Sequence, residues 1–114
     1  MSKQHVAHNF KTDGVNPSGG TSTGLGIEIT WQDGTLVDPN GKRLDPNGAF
    51  VETIIQVAID RIEFYNNSKF RCRENSLAIT KLEEALHWLN SRTSRREKQG
   101  IEGTHQEDPN AQTN

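Results

Sequence analysis

The stretch Ser76-Leu77-Ala78-Ile79-Thr80-Lys81-Leu82-Glu83-Glu84-Ala85-Leu86-His87-Trp88-Leu89 reads as one long amphipathic helix. Ala78, Leu82, Ala85 and Leu89 recur at steps of three and four, the spacing that brings side chains to one helix face. Leu77, Ile79, Leu86 and Trp88 flank that stripe. The pattern predicts a helix from about Arg73 to Gln99, ended by Gly100. About 27 residues at 1.5 Å each give a rod of roughly 40 Å.

A shorter helix is predicted just upstream, from about Ala49 to Tyr65. Its apolar positions are Phe50, Ile54, Val57, Ala58 and Ile62, with Ile55 and Ile59 widening the stripe. Asn47 or Gly48 offers a cap at its start. Asn66-Asn67-Ser68 stops it. A connection of about 6–7 residues makes the two helices antiparallel neighbours. The longer helix then overhangs the shorter, and its overhang, Ser91-Arg92-Thr93-Ser94-Arg95-Arg96-Glu97-Lys98, is polar. Such an end needs solvent, a partner subunit or a ligand. The apolar band of the first helix covers more than one face, so part of it is expected between chains.

Before the helices, Ile27-Glu28-Ile29-Thr30-Trp31 alternates apolar and polar residues, a strand signal. Gln32-Asp33-Gly34 reads as a turn and Thr35-Leu36-Val37 as a returning strand. Asp38-Pro39-Asn40-Gly41 and Asp45-Pro46-Asn47-Gly48 form a short repeat of turn-formers, with Lys42-Arg43-Leu44 between them. A meander or hairpin of this size does not stand alone. Residues 1–24 are polar, and the run Pro17 to Gly24 has almost nothing to bury against its ordering entropy. The expected organisation is a disordered arm over 1–24, one domain over 25–105 and a disordered tail over 106–114. The expected fold class is α+β: a small antiparallel β-segment followed by a long antiparallel two-helix hairpin, oligomeric.

The totals agree with a small core. Of 114 residues, 31% are hydrophobic, against about 45–50% in ordinary globular domains. A core this small is often completed by association. Net charge is −2, so any phosphate affinity must come from a local cluster. The single cysteine, Cys72, excludes an intramolecular disulfide and fits a reducing compartment. Met1 to Phe10 holds no apolar run of the signal-peptide kind, and no stretch approaches the ~20 apolar residues of a membrane span. A soluble intracellular protein is expected.

Few residues suggest chemistry. Arg92 and Arg96 are four apart and so share a face, a spacing at which two guanidiniums suit a diphosphate. A solvated basic face near a helix C-terminus accounts for the same spacing. Asn75, near the start of the second helix, suits a capping role. Phe64 and Tyr65 end the first helix, one suited to the core and the other to stacking a base. Trp88 is expected to pack and His87 to be exposed or at an interface. His5 and His8 lack a third ligand nearby, so no metal site is expected. No glycine-rich phosphate loop, serine–histidine–acid set or cysteine–histidine pair is present, and the carboxylates are scattered. The residues argue for binding without turnover, and for no cofactor.

The stretch Phe70-Arg71-Cys72-Arg73-Glu74-Asn75-Ser76, continuing through Leu77-Ala78-Ile79-Thr80-Lys81-Leu82-Glu83-Glu84-Ala85 to Leu89, resembles the helical hairpin shared by two groups of phage sponge proteins. These are the Thoeris anti-defence proteins and the anti-CBASS proteins. The tail Arg92 through Arg96-Glu97, then Gly100-Ile101-Glu102-Gly103, and the β-segment before the first helix point to the first Thoeris anti-defence type. The resemblance spans about residues 50–105. It implies a non-enzymatic protein that captures glycocyclic ADP-ribose made by Thoeris TIR-domain proteins, in the cytoplasm of the infected bacterial host. Some members form hexamers and also take up cyclic di- and trinucleotides. The family's ligand residues fall on Tyr65, as an aromatic stack, and on Asn75, Arg92 and Arg96. A further basic position corresponds to Arg43 or Lys42.

Spacing adds a condition of its own. Asn75 and Arg92 are 17 residues apart, about 25 Å along one helix, too far for a single nucleotide to bridge. A shared site therefore requires two antiparallel chains, with Tyr65 and Asn75 from one and Arg92 and Arg96 from the other. A C2 dimer would carry two such sites. Two other readings stand beside this one: a nucleic-acid-binding dimer using the Arg92–Lys98 end, and a purely structural helical oligomer.

Overall fold

The computed structural model describes residues 4–98. Gly100, the expected helix terminator, and the 106–114 tail lie outside the described residues. The fold is α+β, with three antiparallel strands followed by two helices. The described chain divides into two compact units between Phe50 and Val51.

The first unit is a sheet in the order β1-β2-β3: β1 is His5–Thr12, β2 is Asn16–Gly24 and β3 is Ile27–Trp31. β3 is the strand expected from its alternation. β1 and β2 occupy the stretch expected to be a disordered arm, and that expectation is corrected. Two things order it. Asp13 and Gly14 both adopt positive φ, at 59° and 69°, and Val15 N–H closes the turn on Thr12 O at 3.2 Å. An Asp-Gly pair of this kind joins twisted antiparallel strands without splaying them. β2 then pairs on both sides, with β1 and with β3, so its backbone is satisfied as a central strand.

β2 has little side chain, and its partners use the space. Gly19, Gly20 and Ser22 are its buried positions. A Cβ on Gly20 would sit 2.3 Å from His8 O, and one on Gly19 would sit 2.9 Å from Asp33 Cβ. Trp31 stands opposite Gly20, and its indole N–H donates to Ser22 Oγ at 3.2 Å. The pairing slips between Asn9 and Lys11, where Ser18 and Gly19 of β2 stand against the single Phe10 of β1, a bulge in β2.

The segment after β3 forms a tight loop rather than a full returning strand. Asp38 Oδ1 accepts from the N–H groups of Asn40 (2.9 Å) and Lys42 (2.8 Å), and Gly41 N–H closes on Asp38 O at 3.0 Å. Leu44 N–H donates to Leu36 O at 2.8 Å, flanking a single bridge between Val37 and Arg43. The second Asp-Pro-Asn-Gly does something else. Asn47 reaches back to β3's end: its Oδ1 accepts Asp33 N–H at 2.8 Å and its Nδ2 donates to Asp33 O at 2.9 Å. Gly48 passes so close to Trp31 that a Cβ would lie 2.5 Å from its carbonyl carbon. Asn47 is thus a clamp on the β3 end, not the cap of a helix.

The second unit is the helical hairpin, α1 over Val51–Asn66 and α2 over Arg73–Lys98. Both helices were expected, within two residues at each end. The shielded positions of α1 include Glu52, Ile54, Ile55, Ala58, Ile59, Ile62 and Asn66; those of α2 include Asn75, Ala78, Ile79, Leu82, Leu86, Leu89, Thr93, Arg95 and Arg96. Within them Ile55, Ile59 and Ile62 of α1 and Ile79, Leu82, Leu86 and Leu89 of α2 recur at steps of three and four, the seam spacing of paired helices. Ile59, 8% exposed, is the buried apolar side chain of α1. Of the stripe expected on α2, Ala78, Leu82 and Leu89 are shielded and Ala85 is exposed, and Trp88, expected to pack, is 69% exposed. Ile79 and Leu86, expected as flanks, are shielded as well. Val57, Phe64, Phe70, Leu77 and Trp88 stay exposed. Among the described residues no helix is long and apolar enough to cross a membrane.

Candidate functional site

The turn of the hairpin is built almost entirely from polar side chains closing the backbone. Six residues, 67–72, separate the helices. Helix ends leave carbonyls and N–H groups without partners along the helix, and each must be met from elsewhere. Asn66 does most of this: its Oδ1 accepts Cys72 N–H at 3.1 Å and its Nδ2 donates to Ser76 Oγ at 3.1 Å. Its own carbonyl accepts from Arg71 Nε at 3.0 Å. Ser68 closes the other strand of the turn, its N–H (3.1 Å) and hydroxyl both donating to Tyr65 O, while Phe70 N–H donates to Ser68 Oγ at 3.1 Å.

Two of the candidate ligand residues hang on this frame. Tyr65 lies in the last turn of α1 and is 42% exposed as a residue. Asn75 lies in the first turn of α2, half-buried, its Nδ2 donating to Phe70 O at 3.2 Å. Asn75 therefore ties the loop to the helix by donating to a loop carbonyl, not by accepting a helix N–H as a cap would. Its Oδ1 takes no part in that bond. The chain brings Tyr65 and Asn75 to the same end of the hairpin.

Arg92 and Arg96 are at the other end of the same uninterrupted helix, α2. The 17-residue separation is thus a real separation of about 25 Å along the rod. One chain does not assemble the four residues. The two arginines also differ in exposure: Arg92 is exposed, whereas Arg96 is 8% exposed. A four-residue step turns a helix by only about 40° beyond one revolution, so both leave the rod on the same side. Lys42 and Arg43 belong to the first unit, in the Asp38 loop, where Lys42 contributes its backbone to the turn and Arg43 forms the bridge to Val37.

Sequence reading missed one prominent group. Arg61, one turn before Tyr65, places its guanidinium carbon 4.7 Å from the Tyr65 ring centroid and 4.9 Å from that of Phe64. Its Nε donates to the Tyr65 hydroxyl at 3.2 Å. The signal was available in the four-residue spacing, which makes such neighbours on any helix. Among the described residues no three His, Cys, Asp or Glu side chains converge as a metal set.

A model of the Acb2/Tad1 hairpin domain matches residues 25–94, more than half of the chain. The chain belongs to the Acb2/Tad1 hairpin family. Tyr65, Asn75 and Arg92 all lie inside the matched region, while Arg96 lies two residues beyond it. A curated relative, "Thoeris anti-defense 1" of Bacillus phage SBSphiJ7, is 57% identical over 60 residues. That alignment covers 53% of this chain and 42% of the relative, so this chain matches under half of the relative's length.

Proposed function

We propose that the chain is a phage anti-defence protein that sequesters a cyclic nucleotide immune signal in the host cytoplasm without degrading it. The signal class is glycocyclic ADP-ribose, with cyclic di- and trinucleotides as further ligands. Family membership carries the reading, together with a relative whose printed name is a Thoeris anti-defence protein. The geometry supports a site shared by two antiparallel chains. One chain supplies the Tyr65 ring and Asn75, the other Arg92 and Arg96, and Lys42 or Arg43 adds a loop contact. The aromatic offers a face to a base, and guanidiniums donate in parallel to diphosphate oxygens. The exposed Val57, Phe64, Leu77 and Trp88 are the surface available to a second copy.

The test is capture and release. The protein mixed with glycocyclic ADP-ribose should hold it on a size-exclusion filter, and heating should return the signal chemically intact. Recovery of a cleaved product would make the protein an enzyme and end this reading. Because Arg96 is buried, its removal risks the fold, so Arg92→Ala is the cleaner variant. It should weaken capture by about tenfold or more, in keeping with loss of a charge-assisted contact worth roughly 1.5–3 kcal/mol. Arg92→Ala and Arg96→Ala together should abolish capture; persistence in a folded double variant places the phosphates elsewhere.

A further inference from the structure

We propose that Arg61 is the positioning residue of the stacking platform: it holds the Tyr65 ring in one orientation before any ligand arrives. The inference rests on the reading of Tyr65 as a base-stacking residue, but it comes from contacts that reading does not use. An exposed tyrosine at a helix end ordinarily samples several rotamers, and stacking a base then costs the entropy of fixing one. Here the ring is held in three ways. The guanidinium lies over it at 4.7 Å, Nε donates to its hydroxyl at 3.2 Å, and Phe64 meets it edge-on, with centroids 5.8 Å apart and planes at 63°. Phe64 is held by the same guanidinium at 4.9 Å. The three side chains form one cluster on the last two turns of α1, and Arg61 is the member that touches both rings.

The arrangement leaves room for a ligand. With the guanidinium in place Tyr65 is still 42% exposed, so the ring is not sealed. A cation set against one face of an aromatic leaves the opposite face for a planar base, which then meets a ring already oriented. Arg61 in this role does not touch the ligand. Its effect on affinity passes through Tyr65, and that makes it separable from Arg92, whose effect would be direct.

The experiment is a double-mutant cycle on the full chain, with glycocyclic ADP-ribose titrated calorimetrically into native protein, Arg61→Ala, Tyr65→Phe and the double variant. Arg61→Ala should bind about fivefold more weakly, the scale of one side chain's immobilisation. Tyr65→Phe removes the hydroxyl that Arg61 holds but keeps a ring under the guanidinium, and should lose a smaller factor. The double variant should be little weaker than Arg61→Ala alone, because that change already breaks the link to the hydroxyl. Arg61→Lys, which keeps a cation over the ring, should recover most of the loss. Tyr65 is the sole tyrosine of the chain, so its χ1 couplings can be followed by nuclear magnetic resonance without assignment ambiguity. In the free protein they should report one rotamer, and several in Arg61→Ala. Native binding with Arg61→Ala unchanged, losses that simply multiply, or unaltered χ1 couplings each overturn the role of Arg61 and leave the sequestration reading intact. Failure of the native protein to bind overturns the sequestration reading instead, whatever the couplings show.

Discussion

Strand β2 puts Gly19, Gly20 and Ser22 at its buried positions, whereas the hairpin buries Ile59 beside a row of half-buried isoleucines and leucines. The sheet is held by backbone pairing at close range, and its buried face works because almost nothing projects from it. The hairpin is held by side chains that fill a seam. The two units of one small chain thus fail in opposite ways. Adding atoms should break the sheet, and removing atoms should break the hairpin.

The largest effect is expected at Gly20. Its φ of 146° is one that side-chain-bearing residues rarely adopt, and a Cβ there would lie 2.3 Å from His8 O. Gly20→Val should cost about 4 kcal/mol, from backbone strain and overpacking together. Amide hydrogen exchange along β1 and β2 should lose its protection; retained protection would show that the strands can part without penalty. Ile59→Ala, the opposite operation, should cost about 3 kcal/mol through the cavity it leaves. A urea midpoint close to native would mean the seam is not where the hairpin's stability resides.

Smaller changes sharpen the contrast. Asn66→Ala removes two side-chain hydrogen bonds from an exposed turn and should cost about 1.5 kcal/mol. Its effect should be confined to exchange of the turn amides and the first turn of α2. Trp31→Phe keeps an aromatic opposite Gly20 and loses the bond to Ser22, for about 1 kcal/mol. An Asn66→Ala loss no larger than that of Trp31→Phe would say that the turn is held by the helices and not by its own polar closure.

The same contrast explains what could be read from sequence. Both helices were legible because apolar side chains at steps of three and four are written directly in the residue types. The finer choice between Ala85 and Leu86 was not, since it depends on which side chains meet a partner helix. β1 and β2 were misread because polarity was taken as the measure of order, while Asp13-Gly14, a strong hairpin turn, lay unused between them. The two Asp-Pro-Asn-Gly copies show the limit of a local motif. In the first, Asp38 closes its own loop; in the second, Asn47 is captured by the backbone of Asp33, a partner that sequence proximity does not supply. For the site, the separation of Tyr65 and Asn75 from Arg92 and Arg96 was legible as length along a helix. Arg96's burial and Arg61's hold on Tyr65 depend on side-chain packing, which spacing alone does not give.

The unbroken run of α2 also sets rules for how this chain can vary. Each residue inserted between Asn75 and Arg92 turns everything after it by about 100° and advances it 1.5 Å. One inserted residue would swing both Arg92 and Arg96 about 100° away from their present side of the rod. Seven would restore both to within about 20°, at the cost of moving them some 10.5 Å further from the turn. The distance between the two ends and their angular phase are therefore locked to each other. Related chains that keep both ends in use should differ in this interval by substitution, and tolerate length change before Val51 far more readily than within the helix.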